Sequence, residues 1–331
     1  MNAIHHLALG LLCAAASAAA SAASYQLNTI DPSQPYFTII PFGINDSGTV
    51  AGVWVDVGQL DHGFTWQGGA IASFDAPPAD TIKVIGVRGT WASAVNNAGT
   101  VVGTYTAGGA QHGFLRDSTG ATTTLDIAGH LHTGLLAINN SGQILLATAD
   151  DNRILGGSSF LRSSSGVLTS VTMPGSTFSE GAGLNDSGVA VGAYYDAANV
   201  LHGFIRSTVG VYTTIDIAGA DATIPSGINN AGWIVGEYDS GGVAHAFVRD
   251  PMGLVTTIDA AGASFTSGTG INSLGDIVGQ YCDATTCHGF IGVPVPEPHS
   301  WALLCAGLLG IGGLLRRRRR DALEASSALG M

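Results

Sequence analysis

The sequence predicts an all-β fold, a six-bladed β-propeller of four-stranded blades, from three observations. A turn motif recurs six times along the chain. Glycine is abundant, with 48 residues in a chain of 331, which indicates frequent turns and close backbone contacts. Only 11% of the residues are charged, and short apolar segments alternate with turn residues. Many short strands joined by tight turns account for all three observations.

The repeat is defined by an Asn in the pattern G/A-x-N-x-x-G. The six copies place this residue at Asn45, Asn96, Asn139, Asn185, Asn229 and Asn272. Successive copies are 43 to 51 residues apart, which is close to the length of one four-stranded propeller blade. Asn bonds nearby backbone in a tight turn and Gly takes a positive φ, so folding alone explains why both recur.

Two strand motifs follow the Asn in most repeats. A His-Gly-Phe-like strand starts 16 or 17 residues later, at His62, His112, His202, His245 and His288. A Thr-Ile-Asp-like strand comes next and ends at Asp75, Asp126, Asp216 and Asp259. The third repeat has Ser158 and Thr172 at these two positions, and Ala147 in place of the strand glycine. Because the His and Asp are lost together, we expect them to form a structural pair in which Asp orients the imidazole. Exposed His residues and a metal or catalytic role are the alternatives.

The ends of the repeat array indicate a closed circle. The sixth repeat lacks its Thr-Ile-Asp strand, and the missing motif is present before the first repeat as Thr29-Ile30-Asp31. An N-terminal strand that completes the last blade removes an open sheet edge, which a linear array would not need. The sequence therefore predicts that His288 pairs with Asp31.

Both termini have the sequence patterns of export segments. Residues 1–24 combine an apolar stretch with small residues before a cleavage site, the pattern of a signal peptide. The propeller is expected at 25–292 and a sorting tail at 293–331. Within the tail we distinguish a motif at 295–298, an apolar helix at 301–315 and an Arg run at 316–320. This helix would be about 22 Å long and would be the chain's one contact with a membrane.

The tail carries a resemblance to a known sorting signal. Pro296, Glu297 and Pro298, followed by an apolar span and a basic cluster, resemble the PEP-CTERM signal of Gram-negative bacteria. The resemblance implies recognition by an exosortase, cleavage near the motif and transfer to the cell surface or matrix after transient anchoring in the inner membrane. An ordinary tail anchor is the alternative.

The repeats resemble the HAF repeat family of bacterial extracellular proteins. The His-Gly-Phe and His-Ala-Phe elements carry this resemblance, which covers roughly residues 25–292. It implies an extracellular location and a repeat architecture, and it implies no reaction.

The charge of the chain limits its partners. Between Ser24 and Val295 there are 21 acidic and 7 basic residues, a net charge of −14. Nucleic acid binding needs clustered positive charge, so we expect no nucleic acid partner. No cofactor motif is present in the sequence.

Two cysteines flank a turn in the last repeat. Cys282 and Cys287 have no His or Cys partner at zinc-ligand spacing, so we expect no metal site. In an exported protein they are expected to form a local disulfide.

One insert breaks the repeat symmetry between the first two copies. It contains Lys83, Arg88 and Trp91, the one place where the body gathers cations beside an aromatic residue. Because loops on a propeller face often bind ligands, this insert is the best ligand-binding candidate in the sequence.

Three functions fit these observations. The first is a non-enzymatic binding or structural module at the surface or in the matrix, linked to exopolysaccharide or biofilm. The second is a secreted hydrolase or lyase acting on polysaccharide, which would need a pair of carboxyls. Glu180, Asp150 and Asp151 lie outside the repeat pattern and are its candidates, although no catalytic set is assigned. The third is a platform that recognises another surface protein.

Overall fold

A computed structural model describes residues 24–32, 35–77, 79–80, 84, 86–150 and 158–295. Within these ranges the chain forms 24 β-strands and no helix. The strands make six four-stranded antiparallel sheets, which confirms the predicted six-bladed propeller. The expected signal peptide and the apolar helix at 301–315 lie outside the described residues.

Five blades are each formed by four consecutive strands, which run in chain order from the innermost to the outermost. The first and second blades contain β2 (Tyr36–Ile44), β3 (Val50–Asp56), β4 (Asp61–Gln67), β5 (Ala70–Phe74), β6 (Thr90–Val95), β7 (Val101–Ala107), β8 (Ala110–Arg116) and β9 (Thr122–Leu125). The third and fourth contain β10 (His132–Ile138), β11 (Ile144–Ala149), β12 (Ser158–Arg162), β13 (Leu168–Ser170), β14 (Phe178–Leu184), β15 (Ala190–Tyr195), β16 (Leu201–Arg206) and β17 (Tyr212–Ile215). The fifth contains β18 (Ala222–Ile228), β19 (Ile234–Ser240), β20 (Val243–Arg249) and β21 (Val255–Ile258).

The sixth blade is completed by the N-terminal strand. Its strands are β22 (Phe265–Ile271), β23 (Ile277–Cys282), β24 (Cys287–Val295) and, on the outside, β1 (Ser24–Ile30). β1 pairs with β24 along its whole length, from Ser24 opposite Val295 to Ile30 opposite Gly289. This pairing confirms the predicted closure. β24 runs to Val295, beyond the propeller boundary that the sequence placed at residue 292.

The hydrophobic core is divided among the blade interfaces. Six buried clusters lie between consecutive blades, and the innermost strands contact each other in a ring that closes from β22 to β2. The repeat Phe is fully buried in five blades, as at Phe64 and Phe247. Burial of such a ring contributes roughly 1.5–3 kcal/mol, so the repeated Phe is a main source of stability.

The repeat glycine makes room for this Phe. Gly236 lies opposite Phe247, and a Cβ on Gly236 would be 2.9 Å from the Phe247 ring. In the third blade the register places Leu146 opposite Phe160, so Leu146 has the position of the glycine. The alignment on Ala147 was wrong by one residue, because this strand offers no glycine to align. Phe160 is only partly buried, and the third blade is packed differently from the others.

Candidate functional site

The propeller has two different faces. Each innermost strand ends at its Asn turn, so the six turns lie together at one face, which we call the Asn face. The His and Asp motifs lie at the opposite end of the strands, as the pairing of His62 with Trp54 shows, and we call this the His face. The two faces carry different chemistry.

The repeat Asn residues form a closed ring of hydrogen bonds at the Asn face. The side-chain oxygen of each Asn accepts hydrogen bonds from backbone N–H groups of its own turn. Asn229 Oδ1, for example, accepts from the N–H groups of Ala231 and Trp233 at 3.1 and 3.0 Å. Each side-chain amide also donates to the main-chain carbonyl of the Asn in the next blade, at 2.9 to 3.5 Å. The sequence predicted the turn but not this second role.

A second row of hydrogen bonds, between the residues that follow the repeat Asn, lies beside the ring. Asp186 accepts hydrogen bonds from the side chains of Asn140 and Asn230 at 2.9 and 2.6 Å. Desolvation opposes ionisation of Asp186, but the hydrogen bonds from Asn140 and Asn230 outweigh it and lower the pKa of this carboxyl. The space enclosed at this end of the axis is only about 70 Å³. We interpret the Asn face as a structural closure of the channel.

The His face carries five repeated His–Asp pairs. In each pair His Nδ1 is 2.8 to 3.1 Å from a carboxylate oxygen; the pairs are His62–Asp75, His112–Asp126, His202–Asp216, His245–Asp259 and, across the closure, His288–Asp31. Every ring also stacks on an aromatic residue of the neighbouring strand, with centroids 4.6 to 5.3 Å apart. These aromatic residues are Trp54, Tyr105, Tyr194, Tyr238 and Tyr281. Five equivalent units favour a structural role over a single reaction centre.

One of these units contains a histidine with a shifted pKa. The hydrogen bond that His202 Nδ1 donates to Asp216 raises the pKa of His202 although desolvation opposes it, and Asp196 adds to the effect. Asp196 Oδ2 lies 3.4 Å from His202 Nε2, so both ring nitrogens face carboxylates. Both carboxylates thus stabilise the protonated imidazole relative to the neutral one.

The third blade has a different pair. Its repeat positions contain Thr148 and Ser158 where the other blades have the aromatic residue and the His. Instead, His130 Nδ1 lies 3.0 Å from Asp150 Oδ1, at the surface. Sequence reasoning missed this pair because His130 has no His counterpart in the other repeats, although Asp150 has the hairpin-tip position of Asp56, Asp196 and Asp283. Asp150 is thus engaged outside the central channel, and Asp151 lies outside the described residues.

The main cavity follows the propeller axis. It has a volume of about 460 Å³, and its walls at the His face include Phe42, Trp91, Phe178, Glu180 and Tyr195. The position five residues before each repeat Asn is occupied by Ile40, Trp91, Gly134, Glu180, Ile224 and Ser267. Three of these residues, Trp91, Glu180 and Ile224, line the cavity, so equivalent positions of the repeat give its wall different chemistry.

Glu180 is the one acidic side chain among the described walls of this cavity. Burial raises the pKa of its carboxyl. The Glu180 side chain is partly exposed to the cavity, and none of the hydrogen bonds between described residues reaches its carboxyl. Such a group in a cavity is a candidate for ligand contact.

The insert residues take separate places. Trp91 lines the central cavity, stacks on Phe42 with centroids 5.7 Å apart and donates from Nε1 to Asp61 Oδ2 at 2.8 Å. Arg88 donates its backbone N–H to the same oxygen, and its guanidinium donates to the Gly58 carbonyl at 3.3 Å. Arg88 lines a neighbouring cavity of about 530 Å³ that also includes Trp91. Lys83 lies outside the described residues.

Cys282 and Cys287 are joined by a disulfide at the tip of the β23–β24 hairpin. Between them, hydrogen bonds from Thr285 and Thr286 hold the pKa of Asp283 well below its usual range.

In the part of the chain that the structure describes, no three His, Cys, Asp or Glu side chains are grouped to hold a metal ion. The same part contains no helix long and apolar enough to cross a membrane.

The fold and cavity define a six-bladed β-propeller with an asymmetric central channel. Residues 294–320 match the PEP-CTERM protein-sorting motif, a signal that exosortase recognises. The chain is therefore an exported, surface-sorted protein on a propeller scaffold. The motif residues Pro296, Glu297 and Pro298 lie outside the described residues.

Three solved structures are similar to this chain at low sequence identity. A catalytically inactive virginiamycin B lyase from Staphylococcus aureus has a TM-score of 0.48 at 12% identity, covering 82% of this chain and 100% of that one. A gluconolactonase from Xanthomonas campestris has a TM-score of 0.49 at 14% identity, covering 82% and 90%. The Aleuria aurantia lectin has a TM-score of 0.46 at 13% identity, covering 80% and 99%. No curated protein matches the chain.

Proposed function

We propose that this protein is a non-enzymatic module that binds exopolysaccharide at the cell surface or in the extracellular matrix. The observation that carries the proposal is the central cavity, whose mouth combines Trp91, Phe178 and Tyr195 with the single carboxyl of Glu180. Aromatic faces and a few polar groups in a concave site are the usual means of binding a small ligand or a chain segment.

The same cavity favours binding over hydrolysis. Glycoside hydrolysis uses two carboxyl groups on either side of the scissile bond. Among the described residues that line the cavity, Glu180 alone has a carboxyl group, and Asp150 is paired with His130 at the surface. A hydrolase or lyase remains the second candidate, because the raised pKa of Glu180 is a property of general acids.

The sorting signal supports the location. An exosortase would recognise the tail, hold the protein transiently at the inner membrane and transfer the propeller to the surface. The extracellular HAF repeat family, which the His-Gly-Phe elements resemble, fits the same location. In this context the expected ligand is a matrix polysaccharide, and another surface protein is the alternative partner.

The test is co-sedimentation of the purified protein with the exopolysaccharide of its source organism, while free reducing ends are counted in the same tube. Binding without new reducing ends is the expected result. New reducing ends would establish an enzyme and contradict the proposal. Neither binding nor new ends would also contradict it and would favour a protein partner.

A further inference from the structure

A smaller cavity opens from the central one at the third blade. It has a volume of about 260 Å³, and Trp91, Ser93, Leu136, Phe178 and Glu180 line both cavities. We call it the side cavity. It is of a size to hold a single sugar residue while the remainder of a glycan occupies the channel mouth.

Sequence differences of the third repeat line this side cavity. Gly134 lines it at the repeat position that Trp91 and Glu180 occupy in the neighbouring blades, and it contributes no side chain. Thr148 and Ser158 stand where the other blades have a stacked aromatic residue and His. Small residues have therefore replaced large ones at the positions where the cavity lies.

The walls of the side cavity combine apolar side chains with several hydroxyl groups. Its hydroxyl-bearing residues include Thr104, Thr148, Ser158, Ser159 and Ser179. The hydroxyl of Thr148 is buried and has no hydrogen-bond partner among the described residues. His132 is also buried, and its Nδ1 accepts a hydrogen bond from the backbone N–H of Gln111 at 3.0 Å. This set of groups can bind the hydroxyl groups of a sugar.

The charges select the kind of sugar. The described walls of both cavities contain no Lys or Arg, and their one acidic side chain, Glu180, has no hydrogen-bond partner there. A uronate would meet this carboxylate and a body of net charge −14 without a Lys or Arg to bind it. An ammonium group would form charge-assisted hydrogen bonds with Glu180 and face the ring of Trp91.

From these observations we infer that the side cavity binds one amino sugar residue of a glycan, with its free ammonium group on Glu180 and its ring against Trp91. This inference rests on the proposed function and specifies its ligand. It gives the third blade a role that the five repeated blades do not share.

Calorimetric titration of the purified protein with three hexasaccharides tests the inference. The probes are a glucosamine hexamer, its fully N-acetylated counterpart and a galacturonate hexamer. We expect the glucosamine hexamer to bind at least about tenfold more tightly than the N-acetylated one, and the galacturonate not to bind. Equal affinity for the first two, or preference for galacturonate, would overturn the inference.

Three variants test whether the preference for the free amine arises in the side cavity. Glu180→Gln should remove the preference for the free amine, whereas Glu237→Gln, the same change at the other Glu of the body, should keep it. The pair Thr148→Tyr with Ser158→His restores the repeat residues and fills the cavity, so it should keep the fold and lose the preference. An unchanged preference in Glu180→Gln or in this folded double variant would refute the assignment.

The native exopolysaccharide separates the two proposals. If it binds while none of the hexamers does, the amino sugar inference fails and the proposed function stands. If neither the native exopolysaccharide nor any hexamer binds, the proposed function fails and the inference fails with it.

Discussion

Asn272 donates its side-chain amide to the main-chain carbonyl of Asn45 at 3.2 Å, across 227 residues of sequence. This bond closes the Asn ring between the last blade and the first. The pairing of β1 with β24 closes the same blade at its outer edge. The propeller is thus closed twice, once at its axis and once at its rim.

The Asn ring should be a major source of stability. Asn229→Ala removes two bonds within the turn and the bond to the Asn272 carbonyl, and it leaves buried groups without partners. We expect a loss of about 3 kcal/mol in the free energy of unfolding, at about 1 kcal/mol for each bond. Urea denaturation measures it. Asn230→Ala, at the exposed neighbouring position, is the control and should cost less; equal effects would contradict the ring's role.

The His202–Asp216 pair should make stability depend on pH. The folded-state pKa of His202 is raised above its ordinary value of 6.5, so the pair's contribution is fully present below that value and is lost as the pH rises through the raised pKa. Asp216→Asn should therefore destabilise the protein more at pH 5 than at pH 9, by about 0.5 kcal/mol. Denaturation at both pH values checks this.

The control for this prediction is Asp250→Asn. Asp250 bonds the backbone N–H of Leu254 in a turn at 2.8 Å and has no His partner. The effect of Asp250→Asn on the free energy of unfolding should be the same at both pH values. A larger effect of Asp216→Asn at pH 9 would show that the sign is wrong.

The disulfide should stabilise the last blade modestly. The bond between Cys282 and Cys287 closes a short loop, and loop-closure entropy gives roughly 2 kcal/mol for such a loop. Replacing both residues by Ser should lower the free energy of unfolding by about this amount and leave the fold intact. The intact mass of the unmodified protein should show the loss of two hydrogens. Free thiols at both Cys282 and Cys287 in the native protein would contradict the bond.

The sequence was sufficient for the fold because the repeat has a measurable period and a displaced strand. The motif at Thr29-Ile30-Asp31 could be matched to the gap in the last repeat, and this gave both the closure and the partner of His288. Leu146 was misplaced because the third repeat has too few of the shared residues to fix its register. Irregular blades lose the signal from which a repeat is recognised.

The site was less predictable because it depends on neighbours in space. Trp91 was singled out with its insert, yet only the fold shows that it lines the channel while Arg88 bonds the Gly58 carbonyl. Glu180 was singled out as an acid outside the repeat pattern, and its burial depends on the surrounding blades. The cross-blade bonds of the Asn ring join turns that are 43 to 51 residues apart along the chain, except across the closure.

The most direct test of the central claim is co-sedimentation of channel variants with the native exopolysaccharide. Tyr195→Ala removes an aromatic wall, and Ala182→Trp fills the channel from the fourth blade. Trp233→Ala, at the Asn turn of the fifth blade, is the control, and thermal unfolding checks that every variant folds. We predict that both folded channel variants lose binding and that the control retains it. Full binding by both channel variants would contradict a glycan site in the channel.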